Sequence, residues 1–349
     1  MKKHLAVLLT GVVTGLVALA LTAFGNPPNM GFCLACFLRD LSGACKLHSA
    51  NVVQYFRPEI VGLVLGSLVA ALLFKEFRPR GGSSPMTRFM LGFLVMVGAL
   101  MFLGCPLRML IRVGGGDLNA LVGLLGFCGG VGIGVLALNK GFTLRRAHPT
   151  AITEGAAFPT ALLVLLAAWL LFPAAFALSE KGPGAMHAPM LLSLAGGLLV
   201  GALAQRSRFC MAGGLRDTML FRDFHLLWGS IALVVTVLVG NLLLGSFRMS
   251  FLDQPIAHTD GLWNFLGMVL VGWGSVLLGG CPLRQLIMAG EGDCDAAIAV
   301  VGMVVGAAFC HNFGLASSAA GPTVNGQAAV LIGLAVLVLL SLFSKERGK

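Results

Sequence analysis

The five residues Gly104-Cys105-Pro106-Leu107-Arg108 occur again as Gly280-Cys281-Pro282-Leu283-Arg284, 176 positions later (281 less 105). Upstream, Phe32-Cys33 with Leu38-Arg39-Asp40 recurs as Phe209-Cys210 with Leu215-Arg216-Asp217, at an offset of 177 (210 less 33). Two separate cysteine motifs at one offset mean a duplicated unit. We place a first repeat at 1–178 and a second at 179–349, within one domain.

The solvent of that domain follows from its apolar runs. Leu5 to Phe24 is 20 residues without a charge. A helix rising ~1.5 Å per residue spans the roughly 30 Å hydrocarbon core over such a length. Charged residues make up 11% of the chain and the mean hydropathy is +0.92, against about 25% charged in soluble domains. The fold class is all-α integral membrane. Ten apolar helices are expected, at about 5–24, 59–74, 89–104, 117–138, 156–178, 189–205, 225–246, 262–280, 295–314 and 327–343. A cleaved signal peptide is the rival for the first run, which is longer than an apolar signal core and lacks a small-x-small cleavage site.

Four shorter segments, Met30 to Ala44, Arg208 to Arg222, Cys105 to Gly116 and Cys281 to Gly292, mix Gly, Cys, Arg and Asp with apolar residues. They suit re-entrant half-helices and are too short to cross. With five crossings per repeat, the second copy runs inverted relative to the first. The charges agree: Lys75, Arg78, Arg80 and Arg88 fill one loop, and its counterpart over 247–262 holds Arg248 with two aspartates. Lys140, Arg145 and Arg146 likewise face a charge-free stretch at 315–327. This is the asymmetry the positive-inside rule requires of inverted copies. Both termini then lie in the cytoplasm, with Lys2, Lys3, Lys345, Arg347 and Lys349. Arg39, Lys46 and Arg57 strain this assignment by facing outside. The net charge of +10 thus sets orientation in the bilayer and does not indicate nucleic acid.

In Gly-Cys-Pro-Leu-Arg, proline fits the first position of a helix and pushes the residue before it out of helical geometry. Cys105 and Cys281 are therefore expected at N-caps, with Gly104 and Gly280 turning the backbone just upstream. Free N–H groups at a helix start attract anions, and Arg108 and Arg284 follow at i+3. Such a construction reads as a weak site for a soft anion. The plainer alternative has the arginines neutralising Asp117 and Asp293, with the cysteines as small apolar fillers. Arg39-Asp40 and Arg216-Asp217 read as ion pairs with a substrate role equally open. Cys33-x-x-Cys36 invites a redox or metal reading, but Gly213 stands where a second-copy Cys36 would be. Cys45, Cys128, Cys294 and Cys310 have no partner at the repeat offset and read as packing residues, with a pathway-facing place as the alternative for the mid-helix Cys128, and the glycines of 126–134 read as close helix packing. His311 and Asn312 also read as packing, with an exit lining as the alternative. Gly114-Gly115-Gly116 lacks the Lys-Ser/Thr and the strand of a nucleotide loop, and no cofactor motif is evident.

The chain resembles the YeeE/YedE family of sulfur-transport membrane proteins, and especially its selenium-transporter branch. The resemblance runs over essentially the whole chain. It is carried by Gly25-Asn26-Pro27 through Asn29-Met30-Gly31-Phe32-Cys33, by Arg57-Pro58-Glu59-Ile60, by Phe77-Arg78-Pro79-Arg80-Gly81-Gly82 and by both Gly-Cys-Pro-Leu-Arg motifs. It implies an hourglass of helices about an in-plane pseudo-two-fold axis, with Cys33, Cys105 and Cys281 as relay cysteines and Cys210 as a symmetric fourth. Arg108, Arg284, Cys36, Arg39 and Arg216 complete the expected pathway. The implied function is import of a small selenium or sulfur anion or hydride through the inner membrane, not enzymatic. A cytoplasmic sulfur- or selenium-carrier protein is a candidate partner. The alternative is a membrane thiol-disulfide oxidoreductase using Cys33 and Cys36.

Overall fold

The computed structural model describes residues 2–344. Seven helices come from the first repeat: α1 (Lys2–Ala23), α2 (Leu34–Ala44), α3 (Pro58–Leu73), α4 (Pro85–Phe102), α5 (Pro106–Gly114), α6 (Leu118–Asn139) and α7 (Ile152–Leu171). The second repeat gives α8 (Met190–Ser207), α9 (Met211–Phe221), α10 (His225–Leu243), α11 (Gly261–Leu278), α12 (Pro282–Gly290), α13 (Cys294–Asn312) and α14 (Val324–Phe343). Strand content among the described residues is two residue pairs, Arg80–Gly81 against His148–Pro149. Among the described residues nine helical spans are long and apolar enough to cross a membrane, three of them a long helix taken with the short one after it, and α3, with 16 residues, is a shorter apolar helix. The four short segments are helices α2, α5, α9 and α12, of 9 or 11 residues.

Most helix ends lie within about four residues of the sequence expectation, and one lies farther off. The helix expected over 156–178 starts at Ile152 and stops at Leu171. Pro173 forces Phe172 out of helical geometry, to φ −133°, and the chain continues in a 3-10 turn. The side chains of Lys2 and Lys3, and Lys345, Arg347 and Lys349, on which the expected cytoplasmic termini rest, lie outside the described residues.

Helix pairing is reciprocal between the repeats. Helix α3 packs on α8 and α1 on α10; α6 packs on α11 and α4 on α13; α4 and α11 face each other. Glycine permits the closeness of these contacts. A Cβ at Gly66 would lie 2.1 Å from the Leu198 carbonyl oxygen, and one at Gly126 2.2 Å from that of Phe265, where no side chain fits. Gly130 and Gly134 face neighbours in the same way, whereas Gly129 and Gly132 meet open space. The expectation for this run therefore holds on one face of α6 only.

The α4–α5 and α11–α12 segments form the centre, with 89% of each apolar window buried, against 22% for α7 and for α10. The perimeter exposes Leu163, Val164, Val235, Val239, Leu331 and Ile332. Such continuous apolar faces belong against acyl chains. The outward-facing arginines that strained the charge rule are not loop charges at all. Arg39 and Arg57 are buried and share the Asp40 carboxylate, at 2.6 and 2.8 Å.

Candidate functional site

Each short helix begins on a motif cysteine. Cys105 (φ −82°, ψ 171°) and Cys281 (φ −69°, ψ 171°) are extended N-caps followed by proline, as the motif requires. Neither makes a side-chain capping bond, so both thiols are left for other contacts. Cys33 and Cys210 also prove to be N-caps, of α2 and α9. Their sulfurs accept the N–H groups of Cys36 (3.3 Å) and Gly213 (3.2 Å). Without a following proline, nothing in the sequence signalled those two caps beyond the repeat itself.

The turns ahead of the Gly-Cys-Pro motifs differ from the expected ones. The left-handed residue is Leu103 (φ 60°) in one copy and Gly279 (φ 84°) in the other, one position before the motif glycine. The motif glycine is needed for space. A Cβ on Gly104 would lie 2.8 Å from Arg108 Cδ, and one on Gly280 2.8 Å from Arg284 Cβ. In both copies the arginine folds back over its own glycine.

These caps bring the thiols together in pairs within each repeat. Cys33 Sγ lies 3.9 Å from Cys105 Sγ, and Cys210 Sγ 3.6 Å from Cys281 Sγ. All four are at most 3% exposed. The Met211 thioether joins the second pair, 3.8 Å from Cys281 Sγ; sequence reasoning passed over it, although it directly follows a motif cysteine. Across the repeats, α2 touches α12 and α5 touches α9, and each thiol pair is buried where two helix N-termini meet. Their N–H ends favour negative charge, and thiols offer soft S–H donors to it.

The arginines are not equivalent. Arg108 is fully buried. Its Nε donates to the Asn29 carbonyl (2.9 Å) and its Nη2 to that of Ile256 (3.0 Å). Nη1 reaches Cys36 Sγ (3.3 Å) and the Leu103 carbonyl. Among the described residues no carboxylate pairs with it. Carbonyl dipoles solvate this cation without cancelling its charge. Arg284, by contrast, forks onto Glu291, at 3.1 and 3.3 Å. The alternative in which both motif arginines neutralise the nearby aspartates is therefore wrong in both copies. Asp117 is held by Arg112 (2.7 Å) and Asp293 by Arg80 (2.8 Å). Neither Arg112 nor Glu291 recurs at the repeat offset, where Met288 and Gly115 stand, so the repeat carries no signal for these two partners.

The remaining expected residues lie near this centre with structural partners. Arg39 pairs with Asp40, and Arg216 with Asp217 at 2.8 Å, partly exposed. Cys36 meets Arg108. Of the unrepeated cysteines, Cys310 is buried, and Cys45, Cys128 and Cys294 are half-buried. Asn312 bonds the Leu47 carbonyl (2.9 Å), and the His311 ring lies against His48 at 4.7 Å.

Residues 206–344, which include Cys210, Cys281 and Arg284, match the family model described as "Sulphur transport". That match spans 139 of the 349 residues (344 less 206, plus one), so the likeness to sulfur-transport proteins is carried by the second repeat. The chain is also similar to "Thiosulfate transporter TsuA" of Escherichia coli (strain K12), at 30% identity over 115 residues. That match covers 33% of this chain and 32% of the relative, so the chain aligns with about a third of the relative's length. Within the sulfur-transport family model falls the whole of the second thiol pair, together with Met211 and Glu291. The first pair, Cys33 with Cys105, lies outside the matched residues and is tied to the second by the internal repeat.

Proposed function

We propose that this protein carries a small, soft anion of sulfur or selenium, of the thiosulfate or selenite type, inward across the inner membrane. The observation carrying the proposal is the double thiol pair. Four buried cysteines sit at four helix N-termini, with the uncompensated Arg108 beside Cys36. A desolvated anion entering the bilayer centre is costly unless dipoles and charge replace its water. Helix N-termini and Arg108 supply the charge complement. The thiols supply weak S–H···S contacts that hold the ion briefly and pass it on. Metal cations are disfavoured by the same positive field.

In this reading the two repeats are inverted in the membrane about an axis in its plane, and both termini face the cytoplasm. The loop charges support that orientation. A cytoplasmic sulfur- or selenium-carrier protein would receive the ion. The likeness to a thiosulfate transporter and to sulfur-transport proteins supports a sulfur anion. Selenium enters by chemical kinship, since selenium oxyanions share the charge and softness of their sulfur counterparts. Against the thiol-disulfide alternative stands the complete burial of Cys33 and Cys36, because disulfide exchange needs an accessible sulfur.

The test is uptake of radiolabelled thiosulfate and selenite by cells expressing the protein, its Cys105→Ala variant or its Cys281→Ala variant. The expected result is loss of uptake in both variants, and the labelled ion that is lost names the cargo. Undiminished uptake in both overturns the relay.

A further inference from the structure

Resting on the transport reading above, a second question is why the two copies treat their arginines so differently. The position matching Glu291 in the first repeat is Gly115 (291 less 176), and both residues cap their short helices at the C-terminal end. In the first copy no carboxylate among the described residues pairs with Arg108. In the second, Glu291 is almost fully buried and forks onto Arg284. It also meets Arg208, at 3.2 Å, and Arg80, at 3.9 Å. Arg208 is half-exposed and anchored to Glu76 (3.1 Å), which Gln205 and Arg206 hold in turn, at 2.7 and 3.0 Å. The Gln205 hydrogen bond, with Arg206 and Arg208, keeps the Glu76 carboxyl below its ordinary range, so the anchor stays charged at neutral pH. Arg284 is thus the inner end of a chain of ion pairs that reaches the surface, and Arg108 has no such chain.

We infer that Glu291 is a positioning residue that acts as a built-in counter-anion. It occupies Arg284, so the station at Cys210 and Cys281 holds the travelling ion weakly, while the station at Cys33, Cys105 and Arg108 holds it tightly. Conduction needs a site favourable enough to enter and another weak enough to leave; two equally strong stations would trap the ion. The arrangement sets relative affinity, and the gradient sets net direction. When an ion reaches Cys281, Glu291 keeps Arg208 and Arg80 as partners, so Arg284 can turn to the ion without leaving a buried carboxylate unpaired.

The experiment is titration calorimetry of the purified full-length protein with thiosulfate and, separately, selenite, alongside cellular uptake. Wild type should bind about one ion per chain tightly. Glu291→Gln frees Arg284; because a charge at contact distance is worth several kcal/mol in a partly buried site, it should add a second tight ion per chain and slow uptake on the order of tenfold. Glu291→Asp should restore the wild-type count. Gly115→Glu is the converse, placing a carboxylate at the matching capping position beside Asn29, whose carbonyl accepts from Arg108, and should abolish the tight ion; this variant decides the matter if Glu291→Gln does not fold. A carboxylate with a merely structural role would change stability and leave the bound count unaltered. Unchanged counts in both variants, with wild-type binding intact, overturn the counter-anion role alone. Absence of binding to the wild type overturns the transport reading with it.

Discussion

At the scale of single residues, the thiols of Cys105 and Cys281 occupy positions that serine would fill well. Serine is a strong N-cap and cysteine here makes no capping bond. Cys105→Ser should therefore keep or raise the melting temperature of the purified protein and yet lower thiosulfate uptake more than tenfold, because a hydroxyl is harder and less polarisable than a thiol. Retained uptake in a folded serine variant would show that sulfur is not required. Arg112 makes the opposite case. Its guanidinium is buried against Asp117 and over the Phe102 ring, 4.3 Å from its centroid. Arg112→Met, the residue found at the matching position 288, strands a buried carboxylate and should cost about 3–5 kcal/mol, read from denaturant unfolding in detergent. Arg112, for all its charge, is held by structural partners, whereas the Cys105 thiol makes no capping bond and is left for the proposed relay.

At the scale of elements, each long helix that leads into a Gly-Cys-Pro motif ends on a left-handed residue, and a short helix restarts from the cysteine. Such breaks are tolerated at membrane depth only where protein encloses the freed backbone groups. Here the Arg108 and Gln285 side chains take up carbonyls at the ends of α4 and α11. Glycine decides how closely the long helices approach. Gly66→Ala drives a methyl into the α8 backbone and should destabilise by about 1–3 kcal/mol. Gly129→Ala, on the same kind of helix but facing open space, should be neutral or stabilise by up to about 1 kcal/mol. Thermal unfolding of the two variants checks the pair, and equal effects would remove the close-approach argument. The ion pairs of α5 and α12 follow the same division between space and charge. Helix α5 has two arginines and Asp117 beyond its end, and α12 has one arginine with Glu291 and Asp293 beyond its end; tertiary contacts choose which arginine meets each carboxylate.

At the scale of the molecule, the longest helix contacts join one repeat to the other. Neither half buries its apolar helix faces alone. Expressed separately, 1–178 and 179–349 should fail to accumulate in the membrane as folded species; co-expressed, they should associate and co-purify. A stable, monodisperse single half would show that each repeat is a domain in its own right.

The division between sequence and tertiary structure is clear at these motifs. The apolar runs determined the helices and the bilayer as their solvent, because helix length and apolarity are local properties. Proline after cysteine determined two N-caps by local sterics, and repetition marked four cysteines as equivalent. What the sequence could not contain is which sulfur meets which, or which arginine goes without a carboxylate. Cys33 and Cys105 lie 72 positions apart and meet only because α2 and α5 start at one point. Among the described residues Arg284 meets a carboxylate and Arg108 does not, because Glu291 and Gly115 differ at one capping position, and Arg80 and the α8 cap Arg208 share that carboxylate from elsewhere in the chain. Charge balance in a buried site is a sum over neighbours in space, and only the packed chain determines those neighbours.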